Sequence, residues 1–221
     1  MYRMNLTGDG GSWLTDYPLA DIDLSVRLAE LTKIWVGFDA PGQPQHLIVG
    51  LTSDELFQCP FIMMQEVGRL FFNEQEAAAL RTYLLKGGFL WVDDFWGSYA
   101  WDTWASQIRK VLPPDQYPIV DLPPDHAIFH TMFDLKAVPQ IPGIGFWRGS
   151  GGGTSERGTD SAQVHARGIA DRTGRVMVFM THNTDVSDSW EREGEDPDYF
   201  YSFSVGGYQV AMNVLIYTMT H

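Results

Sequence analysis

Two uninterrupted apolar runs, residues 60–64 and 89–92, flank a stretch in which Ala77, Leu80 and Leu84 recur at helical spacing. Runs of this length with no polar alternation suit strands covered on both faces. Asn73 stands where a helix N-cap is expected, and Glu76 follows three residues later, as in a capping box. Gly87 fits the end of that helix, because its backbone enters the left-handed region without cost. The pattern predicts strand, capped helix, strand. Such a βαβ unit places its two strands parallel through a right-handed crossover.

Around this unit the periodicity predicts further elements. Leu24, Leu28 and Leu31 share one face of a helix over 20–31; residues 37–44 read as a turn region and 46–50 as a short β-prone run. Asp102 reads as the cap of a second helix, with Trp104, Ile108 and Val111 on one face and Pro113-Pro114 ending it. A strand is expected over 117–122 and a strong one over 175–180, the latter after a turn at Arg172-Thr173-Gly174. A last helix over 205–218 carries Val210, Val214 and Tyr217 on one face. Residues 2–6 suit a short strand, 7–12 a flexible loop, and the glycine-rich 143–158 a mobile or ligand-facing segment. The expected architecture is a single α/β domain over 1–221, with a mostly parallel sheet and helices on both faces.

Charge narrows the function. The net charge is −13 over 221 residues and the basic residues are scattered, which disfavours phosphate backbones and so nucleic-acid partners. No apolar run approaches the ~20 residues of a membrane span, and the first residues lack the pattern of a signal peptide. Cys59 is the sole cysteine, so no intrachain disulfide forms, and its place at the start of a strand suits a structural role. The acidic stretch 185–198 reads most simply as a solvated loop. A cation-binding loop is the sharper alternative, but the spacing is not that of an EF-hand.

In open parallel sheets ligands bind beyond the carboxyl ends of the strands. The three strong strands nominate Gln65 and Glu66; Asp93, Asp94, Phe95 and Trp96; and Thr181, His182 and Asn183. Asp93, Asp94 and His182 are the catalytic candidates, as general base, metal ligand or hydroxyl-binding group for the acids and as acid/base for the histidine. Adjacent strand residues face opposite ways, so both acids share a site only if the chain turns there, which Gly97 favours. The bland alternatives are an Asp that caps a loop and a His bonded to a carbonyl. Gln65, Glu66, Phe95, Trp96 and Asn183 are the ligand-binding candidates. Trp96, Trp101 and Trp147 could offer stacking faces to a sugar, whereas Trp104 reads as core. His126 and His130 have a zinc-like spacing but no third ligand, so no metal and no cofactor are assigned. A G-x-S-x-G elbow, a P-loop and a complete G-x-G-x-x-G after a strand are all missing, which argues against common serine hydrolases, NTPases and dinucleotide enzymes.

The segment NEQEAAALRTYLLKGGFLWVDDFWG, from Asn73 to Gly97, resembles the central unit of domain of unknown function 4159. The stretch Asp16-Tyr17-Pro18-Leu19-Ala20-Asp21, the region Asp125-His126-Ala127-Ile128-Phe129-His130 and the ending YQVAMNVLIYTMTH resemble that family in the same order. That family in turn resembles the class I glutamine amidotransferase-like fold, which implies a flavodoxin-like three-layer sandwich. Catalytic members of that fold keep a Cys on a sharp turn after a strand. The corresponding turn here is Asp94-Phe95-Trp96-Gly97, where neither Phe95 nor Trp96 can serve as a nucleophile. The resemblance therefore implies a non-thiol domain that binds a small polar molecule or glycan, or a protein partner, and an extracytoplasmic location. The alternatives are a hydrolase using Asp/Glu/His acid–base or metal-assisted chemistry at the strand ends, and a purely structural interaction module.

Overall fold

The computed structural model describes residues 14–221. The expected strand over 2–6 and loop over 7–12 lie outside the described residues. The βαβ unit forms as its pattern dictates: β3 (Phe61–Gln65), α2 (Glu74–Leu85) and β4 (Phe89–Asp93). Asn73 accepts from the Glu76 N–H at 2.9 Å and the Glu76 carboxylate accepts from the Asn73 N–H at 3.0 Å, closing both halves of the capping box. The two strands pair parallel, with Phe61 opposite Phe89 and Gln65 opposite Asp93.

Ahead of this unit come α1 (Leu19–Leu31) and a small antiparallel pair, β1 (Phe38–Ala40) and β2 (Gln43–Pro44), across the expected turn region. Residues 46–50 form no strand. After it come α3 (Gly97–Val111), β5 (Val120–Asp121), the short α4 (Ile144–Gly149), β6 (His165–Ala170) and β7 (Val176–His182). The one-turn helices α5 (Asp188–Glu191) and α6 (Pro197–Tyr199) follow. A π-helical stretch, Phe200–Ser204, then leads into α7 (Val205–Thr220). Asp102 does not cap α3. The helix starts five residues earlier; its Gly97 N–H donates to Asn183 Oδ1 and its Ser98 N–H to the Asp160 carboxylate at 2.9 Å.

The main sheet runs β3-β4-β7-β6-β5. Only the β3–β4 and β4–β7 pairs are parallel; β6–β7 and β5–β6 are antiparallel, as is β1–β2. This mixed sheet overturns the expected mostly parallel, flavodoxin-like sandwich. The cause is the turn before β7. Asp171 accepts from the Gly174 N–H and donates its own N–H to Arg175, so β6 and β7 are the two arms of a tight hairpin. A connection that short permits only antiparallel pairing.

Helices lie on both sheet faces. Leu80 and Leu84 of α2 and Trp104 and Ile108 of α3 pack on Leu90, Val92 and Met180. Trp190 of α5 and Val210 and Val214 of α7 pack on Phe89, Trp91 and Phe179. The odd–even alternation along β4 thus assigns Trp91 and Asp93 to the α1/α5/α7 face and Val92 to the other. No helix among the described residues is long and apolar enough to cross a membrane.

Candidate functional site

Three neighbouring strands end at the same level, and each is followed at once by a non-glycine residue in the left-handed region: Glu66 (φ 49°), Asp94 (φ 50°) and Asn183 (φ 65°). Such residues are uncommon singly and tend to gather at functional sites. Backbone bonds tie the three turns together. The Glu66 N–H donates to the Asp94 carbonyl at 2.9 Å, and the Asn183 N–H donates to the Phe95 carbonyl at 3.0 Å.

On the α1/α5/α7 face of these strand ends, Gln65 and Asp93 project side by side. The Asp93 carboxylate, fully buried, accepts from the Thr181 hydroxyl at 2.5 Å on one oxygen. Its other oxygen accepts from the Ser187 N–H at 2.9 Å. The chain that leaves β7 folds back over this point and brings Asp185, Ser187 and Asp188 inside. Asp16, from the turn before α1, closes the group from the opposite side. The Gln65 amide nitrogen stands 2.5 Å from Asp16 Oδ2 and 2.5 Å from Ser187 Oγ.

Hydrogen counting exposes a shortage. Ser187 Oγ lies 3.1 Å from Asp93 Oδ2 and 3.1 Å from Asp185 Oδ1, and also contacts the Asp16 carboxylate. A hydroxyl has one hydrogen to give, so three carboxylates compete for it. Tyr199 is similarly stretched: its Oη is 2.8 Å from the Pro142 carbonyl and 3.1 Å from Asp188 Oδ2. The Ile144 N–H, at the start of α4, also donates to Asp188 Oδ2, at 2.6 Å. The glycine-rich segment expected to face a ligand thus begins as part of the roof over the acids.

Asp16, Asp93, Asp94, Asp185, Asp188 and Glu191 are all buried, and Arg192 supplies the cation that ion-pairs with Asp188 and Glu191. Every shift that follows is upward. Burial first, then the Asp188 charge, lifts Asp16 to about 7. Burial raises Asp93 to about 6 and Asp188 above its ordinary range. Burial and the Asp94 charge push Asp185 well above that range, and burial with the Asp16 charge brings Glu191 to about 8. Desolvated carboxylates of like sign hold protons or call for a cation.

Beside the cluster, between α1 and the edge strand β3, lies a cavity of 670 Å³. Leu24, Leu28 and Met63 supply apolar wall; Asp21, Asp39, Gln45, His46 and Gln65 are among its polar groups. Asp21 Oδ2 is buried without a hydrogen bond, and burial raises its pKa. Gln65 is common to cavity and cluster.

Of the residues expected at the site, Gln65 and Asp93 meet in it, and Asp94 stands at its margin with Oδ1 accepting from the Trp96 indole at 3.0 Å. His182 lies on the opposite sheet face. Its Nε2 is 3.0 Å from the Gly97 carbonyl, which can only accept, so that nitrogen carries the hydrogen. Nδ1 is 3.4 Å from the Arg167 guanidinium, and the Phe95 ring stacks at 4.8 Å. Burial lowers its pKa to about 4, so the ring is neutral. Phe95 and Trp96 are buried and present no open stacking face. Asn183 is spent on the backbone, accepting from Gly97 and donating to Gln163. Glu66 contributes its turn. His126 receives the Ile128 N–H while His130 meets Asp134, so the two imidazoles serve separate contacts.

Sequence reasoning missed Asp16, Asp185, Ser187, Asp188 and Glu191 as site residues. A signal existed for three of them: Asp185, Asp188 and Glu191 recur every third residue, which on a helical turn stacks them on one side. The expectation that this stretch is solvated fails there, since all three are buried.

Fold and site define an α/β protein with a mixed sheet and a buried carboxylate centre at the ends of its three parallel strands. The family model described as "Domain of unknown function (DUF4159)" matches residues 3–219, and the chain belongs to that family. No curated protein matches the chain.

Proposed function

We propose that the chain is a hydrolytic enzyme whose chemistry is performed by carboxylates, through acid–base or cation-assisted catalysis, on a polar substrate reached through the cavity beside Gln65. One observation carries this reading: Asp16, Asp93 and Asp185 converge around a single serine hydroxyl at the strand ends, with an Asp188 oxygen within 4.8 Å of those of Asp16 and Asp185. Asp93, saturated by Thr181 and Ser187, positions the group. Asp16 and Asp185 are the oxygens available to exchange a proton or hold an ion. The turn Asp94-Phe95-Trp96-Gly97 offers no thiol or hydroxyl, so thiolate or alkoxide attack from that turn is ruled out.

The test is a panel of nitrophenyl esters, phosphates and glycosides. Turnover that falls about 100-fold or more in Asp185→Asn, with the fold retained by circular dichroism, supports the proposal. Absence of turnover across the panel, or turnover indifferent to Asp185→Asn, counts against it.

A second reading, binding without turnover, is favoured by the cavity itself. Apolar walls with the unpartnered Asp21 Oδ2 suit a ligand with an apolar body and one N–H or O–H donor. Thermal-shift screening with amines and polyols decides it: a shift abolished by Asp21→Asn favours binding, and a flat screen removes it.

A further inference from the structure

The geometry points to a binding site for one hard divalent cation of calcium size, formed by Asp16, Asp185 and Asp188 with the carboxamide oxygen of Gln65. This inference deepens the reading above, because it takes the same carboxylates as the functional centre and assigns what they hold.

The first support is spatial. One carboxylate oxygen from each of the three acids lies within 4.8 Å of the others. Calcium binds oxygens at about 2.3–2.6 Å, so a shell around it is about 5 Å across. Magnesium wants about 2.1 Å and keeps several waters, which fits less well among acids that are 2%, 6% and 6% exposed. The donors are all hard oxygens, with no His or Cys among them, which disfavours zinc.

The second support is Gln65, only 4% exposed. Its amide nitrogen reaches both Asp16 and Ser187, so the side chain is aimed into the cluster, yet its Oε1 is buried and receives no hydrogen bond. A buried amide oxygen left in that state costs free energy unless something electropositive meets it. The third support is the hydrogen shortage at Ser187. Its one hydrogen is sought by Asp16, Asp93 and Asp185, and a cation between Asp16, Asp185 and Asp188 relieves the repulsion among these acids without protons.

The experiment uses the full chain freed of ions by chelation and titrated with terbium. Tyr199, whose hydroxyl is 3.1 Å from Asp188 Oδ2, and the neighbouring Trp190 sensitise luminescence from an ion held there. The expected result is a saturable signal of one ion per chain, displaced by calcium at concentrations about tenfold below magnesium. Asp185→Asn weakens binding about tenfold or more and Gln65→Met weakens it measurably, while Asp115→Asn, an exposed acid elsewhere, leaves it unchanged. Should Asp185→Asn fail to fold, Asp188→Asn and Gln65→Met give the same reading. No sensitised signal, or one that these variants leave intact, overturns the inference. Ion binding without hydrolysis removes only the hydrolytic reading; hydrolysis sensitive to Asp185→Asn without ion binding removes only the cation.

Discussion

Gln65 and Asp93 are register partners on adjacent parallel strands, and both side chains leave the sheet on the same face at the level where the strands stop. Asp93 is held by donors on both oxygens, whereas the Gln65 oxygen has none. One residue anchors the site and its neighbour is left with an unmet bond.

That contrast predicts opposite signs for two substitutions of buried acids. Asp93→Leu strands the Ser187 N–H in the interior, while the Thr181 hydroxyl turns to the Val92 carbonyl 3.2 Å away, and costs about 1–3 kcal/mol, as for one buried donor left unpaired. Asp185→Asn removes a charge disfavoured by burial and by Asp94, and raises the stability of the ion-free protein. Urea unfolding of the two variants beside the parent checks both. An Asp185→Asn protein less stable than the parent without divalent ions contradicts the account.

The carboxylate centre sets the alkaline limb of stability. Asp16 and Glu191, at about 7 and 8, lie above their unfolded values. The folded state therefore binds more protons than the unfolded one. The resulting stability is fully present below about pH 4 and is lost as pH rises through the folded values. Between pH 6.5 and 8.5, in chelator, the unfolding free energy falls by about 2 kcal/mol. Denaturant midpoints across that window measure it, and a flat profile contradicts it.

His182 has the opposite sign. Its folded value, about 4, lies below the unfolded 6.5, so the unfolded chain takes up the proton first. Its contribution is intact above pH 6.5 and is lost as pH falls towards 4, by about 3 kcal/mol at most. His182→Phe removes this slope. Subtracting the variant's profile from the parent's isolates the histidine from the carboxylates, and no difference between pH 6.5 and 4.5 is inconsistent with a buried neutral ring.

Gly97→Ala tests the junction between β4 and α3. Gly97 has φ +76°, and a Cβ there would lie 2.5 Å from Asp160 Oδ2, the carboxylate that caps the helix. Strain and loss of the cap together cost about 2–4 kcal/mol. Thermal unfolding reads the loss. Asp160→Ala alone costs about 1 kcal/mol, the cap without the strain.

The elements legible in the sequence were those fixed by local pattern. The apolar runs of β3, β4 and β7 and the Asn73–Glu76 capping box sit where their residues placed them. β6 was not legible: His165, Arg167 and Gly168 interrupt any apolar run, because this strand stands between the core and the short outer β5. Without it, the turn at Asp171–Gly174 read as the entrance to one strand rather than the joint of two, and the sheet was taken as parallel. The start of α3 was hidden for a different reason, since its capping carboxylate comes from Asp160, 62 residues on. At the site, Gln65 and Asp93 were legible as strand ends. Asp16 was not, because only the tertiary fold carries a turn before α1 to the ends of three strands. Asp185 and Asp188 were obscured by the acidic stretch around them, which composition alone makes look solvated.

The three left-handed turns at Glu66, Asp94 and Asn183 fix where the strand ends stop by main-chain torsion and main-chain bonds rather than by attraction among the side chains. A frame of that kind is indifferent to the sign of what it carries. The acids Asp16, Asp185 and Asp188 lie on other segments, so exchanges between acid and amide there can retune the centre from ion holder to neutral pocket one position at a time, with the sheet beneath it unaltered.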